Sequence, residues 1–260
     1  MSATKEHHHS EIEAGQRSSS STPPLKLGEV PEGRRGITPT PRKESPILFS
    51  TPMVKAILEG RKTQTRRLTG LEEVNKNPDH WEFKSKYRTI NRFYDAEKEE
   101  SPNPLRRYFV FTNKLTGKEI EIRCRYGDKT GDLIWVRETW CKSKFALNGF
   151  TYKANAHPEM DLNKSWKPSI HMPKVASRIW LEFDEAGMER LQSISEADAK
   201  AEGANLGNML GFGVIGQANY LEGFFLLWRN INGLESLHEN PWVWVVKFKV
   251  ISTTGKENIQ

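Results

Sequence analysis

The sequence is poor in cysteine, with only Cys124 and Cys141 among 260 residues. It has no CxxC pair, no recognisable signal peptide, and no Cys and His residues at the spacing of a zinc site. This usage argues against a disulfide-stapled secreted domain and favours a protein of the reducing cytoplasm. The triplet His7–His9 is interpreted as incidental or as a cloning remnant, so no metal ion and no cofactor are expected.

Long apolar runs are also missing, and hydrophobic residues make up only 36% of the chain. No run approaches the roughly 20 residues that cross a bilayer, so no membrane partner is expected. Large apolar residues are scarcest in residues 1–45, which contain several prolines and four consecutive serines. Such a segment cannot bury enough surface to offset its ordering entropy. We therefore expect a disordered tail at 1–45, a folded domain at 46–252 and a flexible C-terminus at 253–260.

The charge of the chain is positive but modest, with a formal value of +6. Residues 1–45 hold seven Lys or Arg and six Glu, which leaves +5 for the folded part. A mildly basic domain suits an anionic partner such as nucleic acid, although many ordinary soluble proteins are equally basic. Composition gives no indication of a protein partner.

Helix signals occur at three places in the folded part. Thr51-Pro52 predicts a helix start with Thr51 as the cap, and Gly60 predicts its end. In "SISEADAKAEGA", residues 193–204, Ser195 and Asp198 form a capping box and Gly203 stops the helix. "YLEGFFLLWRNI" places Leu221, Phe224, Phe225 and Trp228 on one face, which predicts an amphipathic helix.

Alternating apolar residues predict three strands. "GDLIWVRETW", residues 131–140, would present Ile134 and Val136 on one face and Trp135 and Arg137 on the other. "SRIWLEF", residues 177–183, and "PWVWVVKFKV", residues 241–250, alternate in the same way. In the first of these, Ile179, Leu181 and Phe183 share a face. In the second, the inward set is Trp242, Trp244, Val246, Phe248 and Val250.

Two polar insertions interrupt these elements, at about 70–123 and about 141–175. The first contains a Thr-Gly turn signal that predicts at most one short hairpin, around 108–123. Several short strands with a few small helices predict an α+β fold, arranged as a compact barrel in a single domain.

The stretches "ILEGRKTQTRR", "GDLIWVRETW" and "LQSISEADAKAEG", in that order, resemble the ASCH domain, a PUA-like β-barrel family linked to RNA. The stretches "WKPSIHMPKVASRI" and "NPWVWVVKF" resemble the larger phage and prophage members of that family. The resemblance covers about four-fifths of the chain, from about 46 to 250. It implies a small PUA-like barrel with short helices and a cytoplasmic protein of bacterial or phage-infected cells.

The resemblance also implies candidate catalytic residues. The family includes an amidohydrolase that removes the acetyl group from N4-acetylcytidine, and its Lys, Thr and Glu match Lys62, Thr65 and Glu202. Amide hydrolysis needs a nucleophile, a base that activates it and a proton for the leaving amine. A lysine whose pKa is lowered by burial or by neighbouring cations can activate a threonine hydroxyl. In a regular strand, however, Lys62 and Thr65 would point to opposite faces.

Binding without turnover is the competing interpretation of the same residues. Lys62 with Glu202 would then be a plain salt bridge, and Thr65 a strand-forming residue. Basic side chains would contact phosphates, and Trp135, which shares a face with Arg137, is the best candidate among the tryptophans for stacking on a base. His171 is interpreted first as a structural residue, with ligand contact or acid–base chemistry as the alternative. The candidate ligand-binding residues are Arg61, Arg66, Arg67, Trp135, Arg137, Glu138 and His171.

These observations leave three functions open. The first is an RNA- or modified-nucleoside-binding protein that holds its ligand in a basic pocket. The second is an amidohydrolase acting on an acylated nucleoside such as N4-acetylcytidine through Lys62, Thr65 and Glu202. The third is a ribonuclease, because RNA cleavage is also associated with some ASCH proteins.

Overall fold

The computed structural model describes residues 42–85, 108–146, 148–157, 165–206 and 219–259. The expected tail lies outside the described residues up to position 41, and so does residue 260. Parts of both expected insertions, 86–107 and 158–164, also lie outside them. The described chain has mixed α+β content, as the sequence predicts.

The helices and strands of the described residues are numbered here in chain order. The strands are β1 (Glu44–Leu48), β2 (Gln64–Arg67), β3 (Trp81–Ser85), β4 (Tyr108–Asn113), β5 (Glu119–Arg123), β6 (Leu133–Arg137), β7 (Trp140–Lys142), β8 (Phe150–Tyr152), β9 (Trp180–Arg190) and β10 (Trp242–Ser252). The helices are α1 (Thr51–Leu58), α2 (Glu72–Asn75), α3 (Glu196–Ala201), α4 (Tyr220–Asn232) and α5 (Leu234–His238).

The main sheet has five strands in the order β1-β6-β9-β10-β2. Strands β1 and β6 run parallel, and the other neighbours are antiparallel. In the part of the chain that the structure describes, β1 and β2 are the edges of this sheet, and strand pairing does not close it into a barrel. The short edge strand β2 carries the basic motif that follows α1.

Apolar side chains on one face of the main sheet form the principal core. Ile179, Leu181 and Phe183 all belong to it, as the alternation in "SRIWLEF" predicts. Helix α1 adds Val54 and Ile57, which are almost fully buried. This core therefore fixes both the helix that precedes the basic motif and the strand that carries it.

The last strand departs from simple alternation. Val243 lies on the face expected to be outward, but it is fully buried in a second apolar cluster with Phe224 and Trp228 of α4. Helix α4 covers that face, which is why both faces of this part of β10 are apolar. The prediction for Val250 is wrong, because its side chain is exposed near the end of the strand.

The insertions contain more regular structure than the sequence indicates. The predicted hairpin over 108–123 is confirmed as β4 and β5, but β3 adds a third strand to it. Phe109 of β4 packs edge-on against Trp244, with ring centroids 4.7 Å apart, so this small sheet joins the main core. In the second insertion, β7 and β8 pair as a further two-stranded sheet.

The helix caps agree with the sequence in one case and differ in another. At α3 the Ser195 hydroxyl accepts a hydrogen bond from the Asp198 backbone N–H at 3.1 Å and donates one to its carboxylate at 2.7 Å. At α1 the N-cap is Ser50 rather than Thr51, and its side chain makes no capping hydrogen bond. Pro52 in the first turn, whose ring fixes φ, is the feature that starts this helix.

Residues 253–259, expected to be flexible, include a 3₁₀ helix at Lys256–Asn258. The segment bonds to the domain through the Gly255 N–H, which donates to the Arg178 carbonyl at 3.0 Å. Across the described ranges, no helix combines the length and apolar character needed to cross a membrane.

Candidate functional site

The basic motif begins where α1 ends. Gly60 adopts a positive φ of 71°, and the backbone N–H groups of Arg61 and Lys62 both donate to the Ala56 carbonyl, at 2.9 and 3.1 Å. The chain then pairs with the end of α3, because Lys62 and Glu202 form a β-bridge and the Thr63 N–H donates to the Ala201 carbonyl. Two segments that are 140 residues apart are thus joined through their backbones.

Glycine makes this junction possible on the α3 side. Gly203 has a φ of 77°, in the left-handed region that favours glycine. A Cβ placed on it would lie 2.7 Å from the Cβ of Ala56 and 3.0 Å from the Cβ of Lys62. The helix stop predicted at Gly203 therefore also provides the close approach of α3 to α1.

Lys62 and Glu202 form a buried ion pair at this junction. The Lys62 Nζ lies 2.7 Å from Glu202 Oε2 and donates a second hydrogen bond, also at 2.7 Å, to the Glu202 carbonyl. Neither side chain is more than 3% exposed. Burial lowers the pKa of Lys62 to about 8 even though the Glu202 carboxylate opposes the shift. The ammonium group is thus held where its proton is unusually easy to lose.

Arg66 is a second cationic partner of Glu202 and connects the ion pair to Glu189. Its Nη1 lies 3.1 Å from Glu202 Oε1, and its Nε donates to Glu189 at 2.7 Å. Gln64, on the same face of β2, donates to both the carbonyl and the carboxylate of Asp198. Glu202 therefore accepts one cationic partner on each carboxylate oxygen, which fixes its orientation.

Arg67 projects from the opposite face of β2. Its Nη2 donates to the Leu48 carbonyl at 2.7 Å, and its guanidinium lies 4.9 Å from the centroid of the Phe49 ring. The Lys62 ammonium lies 5.5 Å from the same ring. Because β2 is an edge strand, side chains from both of its faces can reach one hollow.

That hollow is a cleft of about 590 Å³ beside the edge of the main sheet. Arg66, Arg67 and Glu202 are part of its lining, and α4 contributes an apolar wall. The volume falls within the range of about 300–1,000 Å³ that small-molecule sites have. The described lining residues are Pro46, Ile47, Leu48, Met53, Arg66, Arg67, Leu68, Thr69, Arg125, Tyr126, Arg137, Glu202, Phe224, Leu227, Trp228, Ile231 and Asn232.

The three predicted catalytic residues are only partly assembled. Lys62 and Glu202 are in direct contact, but the Thr65 hydroxyl is buried and has no hydrogen-bond partner in the described part of the chain. Neither Lys62 nor Thr65 is among the lining residues of the cleft, whereas Glu202 is. The described arrangement thus places the lysine and the threonine behind the cleft wall.

The predicted ligand-binding residues divide into two groups. Arg66, Arg67 and Arg137 line the cleft, and the remaining four do not. Arg61 is bonded to Glu59 and to the Gly203 carbonyl. Trp135 is half-buried on β6, and its ring lies 5.5 Å from the Arg137 guanidinium.

Glu138 and His171 lie away from the cleft lining. Glu138 is buried and accepts two hydrogen bonds from Arg178, at 2.8 and 2.9 Å. His171 is exposed in a 3₁₀ helix at Ser169–His171. Arg137, which lines the cleft, contacts this region by donating to the Ile170 and Met172 carbonyls.

Sequence reasoning missed Arg125 and Tyr126, which also line the cleft. They lie in "RCRYGD", between β5 and β6, just after the predicted polar insertion. Burial raises the pKa of the Tyr126 phenol, while the nearby Arg67 charge acts in the opposite direction. The available signal was a basic and an aromatic residue ahead of a Gly-Asp turn. Their position in the sequence does not indicate that they lie near β2.

Metal and thiol chemistry have no visible basis in the described residues. No group of three or more His, Cys, Asp or Glu side chains there is arranged to hold a metal ion. Cys124 and Cys141 are both buried and unpaired, and burial raises the pKa of the Cys124 thiol. The triplet His7–His9 lies outside the described residues.

Comparisons of this chain with protein-family models, with curated proteins and with solved structures find no match.

Proposed function

We propose that this protein binds RNA or a modified nucleoside in the cleft beside β2, as an ASCH-type, PUA-like protein of the phage or prophage kind. The observation that carries the proposal is the composition of the cleft. Four arginines, Arg66, Arg67, Arg125 and Arg137, line a hollow whose other wall is apolar and partly aromatic. Nucleic acid ligands need both features, because phosphates seek cations and bases seek flat apolar surfaces.

The location of the cleft supports the same proposal. It is built around the basic motif that resembles the ASCH pattern, and Glu202 of the matching "AKAEG" stretch lies in its wall. The α+β content and the mixed sheet are compatible with a PUA-like domain. The barrel itself and the family assignment are parts of this proposal.

Equilibrium binding of labelled single-stranded RNA tests the proposal. We expect an affinity that falls as salt is raised, because each phosphate contact releases counterions. Arg67→Ala should weaken binding about tenfold, which is the size of one lost charge-assisted contact. Arg229→Ala is the control, because Arg229 is exposed on α4 and does not line the cleft. Absence of binding to RNA and to a panel of modified nucleosides would overturn the proposal.

Amide hydrolysis is a second candidate because of two observations about buried groups. The pKa of Lys62 is lowered to about 8, so part of the lysine population is neutral at physiological pH and able to accept a proton. Among the residues that the structure describes, the buried Thr65 hydroxyl has no hydrogen-bond partner that would hold it. An amidohydrolase would need a lysine that acts as the base and a hydroxyl that acts as the nucleophile, and here both lie behind one wall of the cleft.

In this second candidate, the Thr65 hydroxyl attacks the acyl carbon while Lys62 takes its proton. The protonated Lys62 then gives that proton to the leaving amine, and water releases the acyl group from Thr65. Both side chains lie behind the cleft wall in the described arrangement, so this route requires Arg66 or Glu202 to move. We therefore rank hydrolysis after binding.

Acetate release from N4-acetylcytidine tests the second candidate. Hydrolysis predicts that Lys62→Ala and Thr65→Val each abolish release, while the variants keep a folded far-UV spectrum. Thr65→Ser, which retains the hydroxyl, should retain turnover. Binding of N4-acetylcytidine without acetate release would reject hydrolysis and leave the binding proposal intact.

A further inference from the structure

Three of the cleft arginines form no ion pair with a carboxylate among the described residues. Arg67 and Arg137 donate to backbone carbonyls, and Arg125 is exposed. They come from three different segments: Arg67 from β2, Arg125 from the loop after β5, and Arg137 from β6. Glu202 and Glu72 act on Arg67 and Arg125 electrostatically without forming an ion pair with them. A carbonyl accepts a hydrogen bond but leaves the guanidinium charge in place, so the three side chains give the hollow a positive character.

Arg66 shows what a neutralised arginine looks like in the same cleft. Its guanidinium contacts Glu189 and Glu202, which supply two negative charges. Glu202 in turn is shared with Lys62. The positive field of the cleft therefore originates from Arg67, Arg125 and Arg137 rather than from the Lys62 pair.

The part of the described lining that α4 contributes is mostly apolar. Leu227, Trp228 and Ile231 lie on one face of this helix, and Met53 of α1 adds to the apolar surface. Ile231 is half exposed, although it is a large aliphatic residue. A ligand that fills this cleft must therefore have both an uncharged, mostly apolar face and an anionic group.

We propose that the ligand of this cleft is a phosphorylated nucleoside, with its phosphate held by Arg67, Arg125 and Arg137 and its base against α4. The inference rests on the proposed function and narrows it, since a free nucleoside carries no charge to satisfy these arginines. Tyr126 also lines the cleft near Arg67, and its hydroxyl is hydrogen-bonded to Thr69, another lining residue. The phosphate is either that of a free nucleotide or that of an RNA strand.

Matched ligand pairs test this inference directly. Calorimetry would compare the four ribonucleosides and N4-acetylcytidine with their 5′-monophosphates, using the full chain at one fixed salt concentration. We expect each phosphate form that binds to bind at least about tenfold more tightly than its nucleoside, as charge-assisted contacts to arginine imply. A 5′-phosphorylated tetranucleotide, added as a third arm, identifies the source of the phosphate. If the tetranucleotide binds only as tightly as the monophosphate, the ligand is a free nucleotide. If the tetranucleotide binds more tightly and with greater salt sensitivity, the ligand is RNA.

Two charge-removing variants and one control test whether the named arginines cause the preference for the phosphate forms. Arg125→Gln should reduce the preference for phosphate about tenfold, and it should fold normally because Arg125 is exposed. Arg229→Gln makes the same chemical change on the far side of the α4 wall, and the preference should be unchanged. Arg67→Gln is a second test, with its far-UV spectrum checked because Arg67 also donates to the Leu48 carbonyl.

The outcomes separate this inference from the proposed function. Nucleosides and monophosphates that bind equally well would overturn the inference and leave nucleoside binding in place. An equal loss of preference in Arg125→Gln and Arg229→Gln would also overturn it, because the effect would then come from net charge alone. Failure of nucleosides, monophosphates and the tetranucleotide to bind would overturn both proposals.

Discussion

The ion pair between Lys62 and Glu202 illustrates how much a buried charge depends on its partner. Removing two charges from water is expensive, and their attraction repays this only when the geometry is good. Here Lys62 makes two hydrogen bonds of 2.7 Å, and Glu202 has a second cation at Arg66. The pair fixes the position of a cleft-lining carboxylate, which is the functional consequence of the arrangement.

Replacing either residue of the ion pair should strongly destabilise the folded protein. Lys62→Met leaves Glu202 with one cationic partner, and Glu202→Gln leaves a buried ammonium without its counter-ion. We expect each change to lower the free energy of unfolding by about 3 kcal/mol. The double variant should lose clearly less than the sum of the two, because the groups interact directly. Urea denaturation of the four proteins measures this, and additive losses would show that the two groups are not coupled.

The lowered pKa of Lys62 gives stability a defined pH dependence. Its pKa is about 8 in the folded protein and near 10.5 when the chain is unfolded. Between these values the unfolded chain binds more protons, so raising the pH favours the folded state. Relative to Lys62→Met, the wild type should gain roughly 1 kcal/mol of unfolding free energy between pH 8 and pH 9. A stability difference that stays constant from pH 7 to pH 10 would contradict the assigned pKa.

At the residue scale, the sequence predicted which charged side chains belong to the site better than it predicted which residues are in contact. The motif "GRKTQTRR" predicted a polar rim, and Arg66 and Arg67 do line the cleft. The contact of Lys62 with Glu202 was expected from a family resemblance, because nothing in their spacing brings residues 140 positions apart together. Arg125 and Tyr126 were missed for the same physical reason, since a long-range approach leaves no local pattern.

At the scale of elements, the site depends on how two helices end. Helix α1 stops before Gly60 and α3 stops before Gly203, and both glycines adopt positive φ. The surroundings of the two differ, because a Cβ at Gly60 would meet no atom within 4 Å. The two stops have the same backbone conformation, but only the one at Gly203 is also packed against a neighbouring element.

Alanine at these two positions should separate backbone strain from packing. Gly60→Ala should lower the free energy of unfolding by about 1 kcal/mol, which is the strain of a left-handed alanine. Gly203→Ala should lower it by about 3 kcal/mol, because the same strain is joined by overpacking against Ala56 and Lys62. Thermal or urea denaturation of the two variants measures the difference. Equal losses would mean that α3 and α1 are not in close contact.

The elements themselves were largely predictable where one face is buried. The strand predicted at 177–183 is confirmed only from Trp180, and β9 continues to Arg190. The sequence "DEAGMER" in its second half is too polar to suggest a strand. It is held by backbone pairing with β10, and most of its side chains are only partly buried. Periodicity reports burial rather than pairing, so the polar half was not detected.

At the scale of the whole molecule, the first insertion is an integral part of the domain. The small sheet β3-β4-β5 packs onto the main core, with Phe109 against Trp244 and Phe111 against Trp242. The chain leaving this sheet then supplies Arg125 and Tyr126 to the cleft. An insertion that the sequence marks as polar therefore contributes both to the core and to the candidate site.

Truncation of Phe109 should weaken the link between the small sheet and the core. Phe109 is 2% exposed, so Phe109→Ala should lower the free energy of unfolding by about 3–5 kcal/mol. Phe145→Ala is the matched control, because Phe145 is fully exposed and its removal should change stability by less than about 0.5 kcal/mol. Similar losses in both variants would mean that the small sheet is not packed as described.

The proposed function requires that a nucleic acid ligand occupies the cleft between β2 and α4. Photo-crosslinking of a short RNA that contains 4-thiouridine, followed by mass spectrometry of the digested protein, locates the bound ligand. We expect crosslinks in peptides that contain Tyr126, Trp228 or residues 66–69. Crosslinks confined to surfaces away from the cleft, such as the β7–β8 hairpin or residues 253–259, would contradict it.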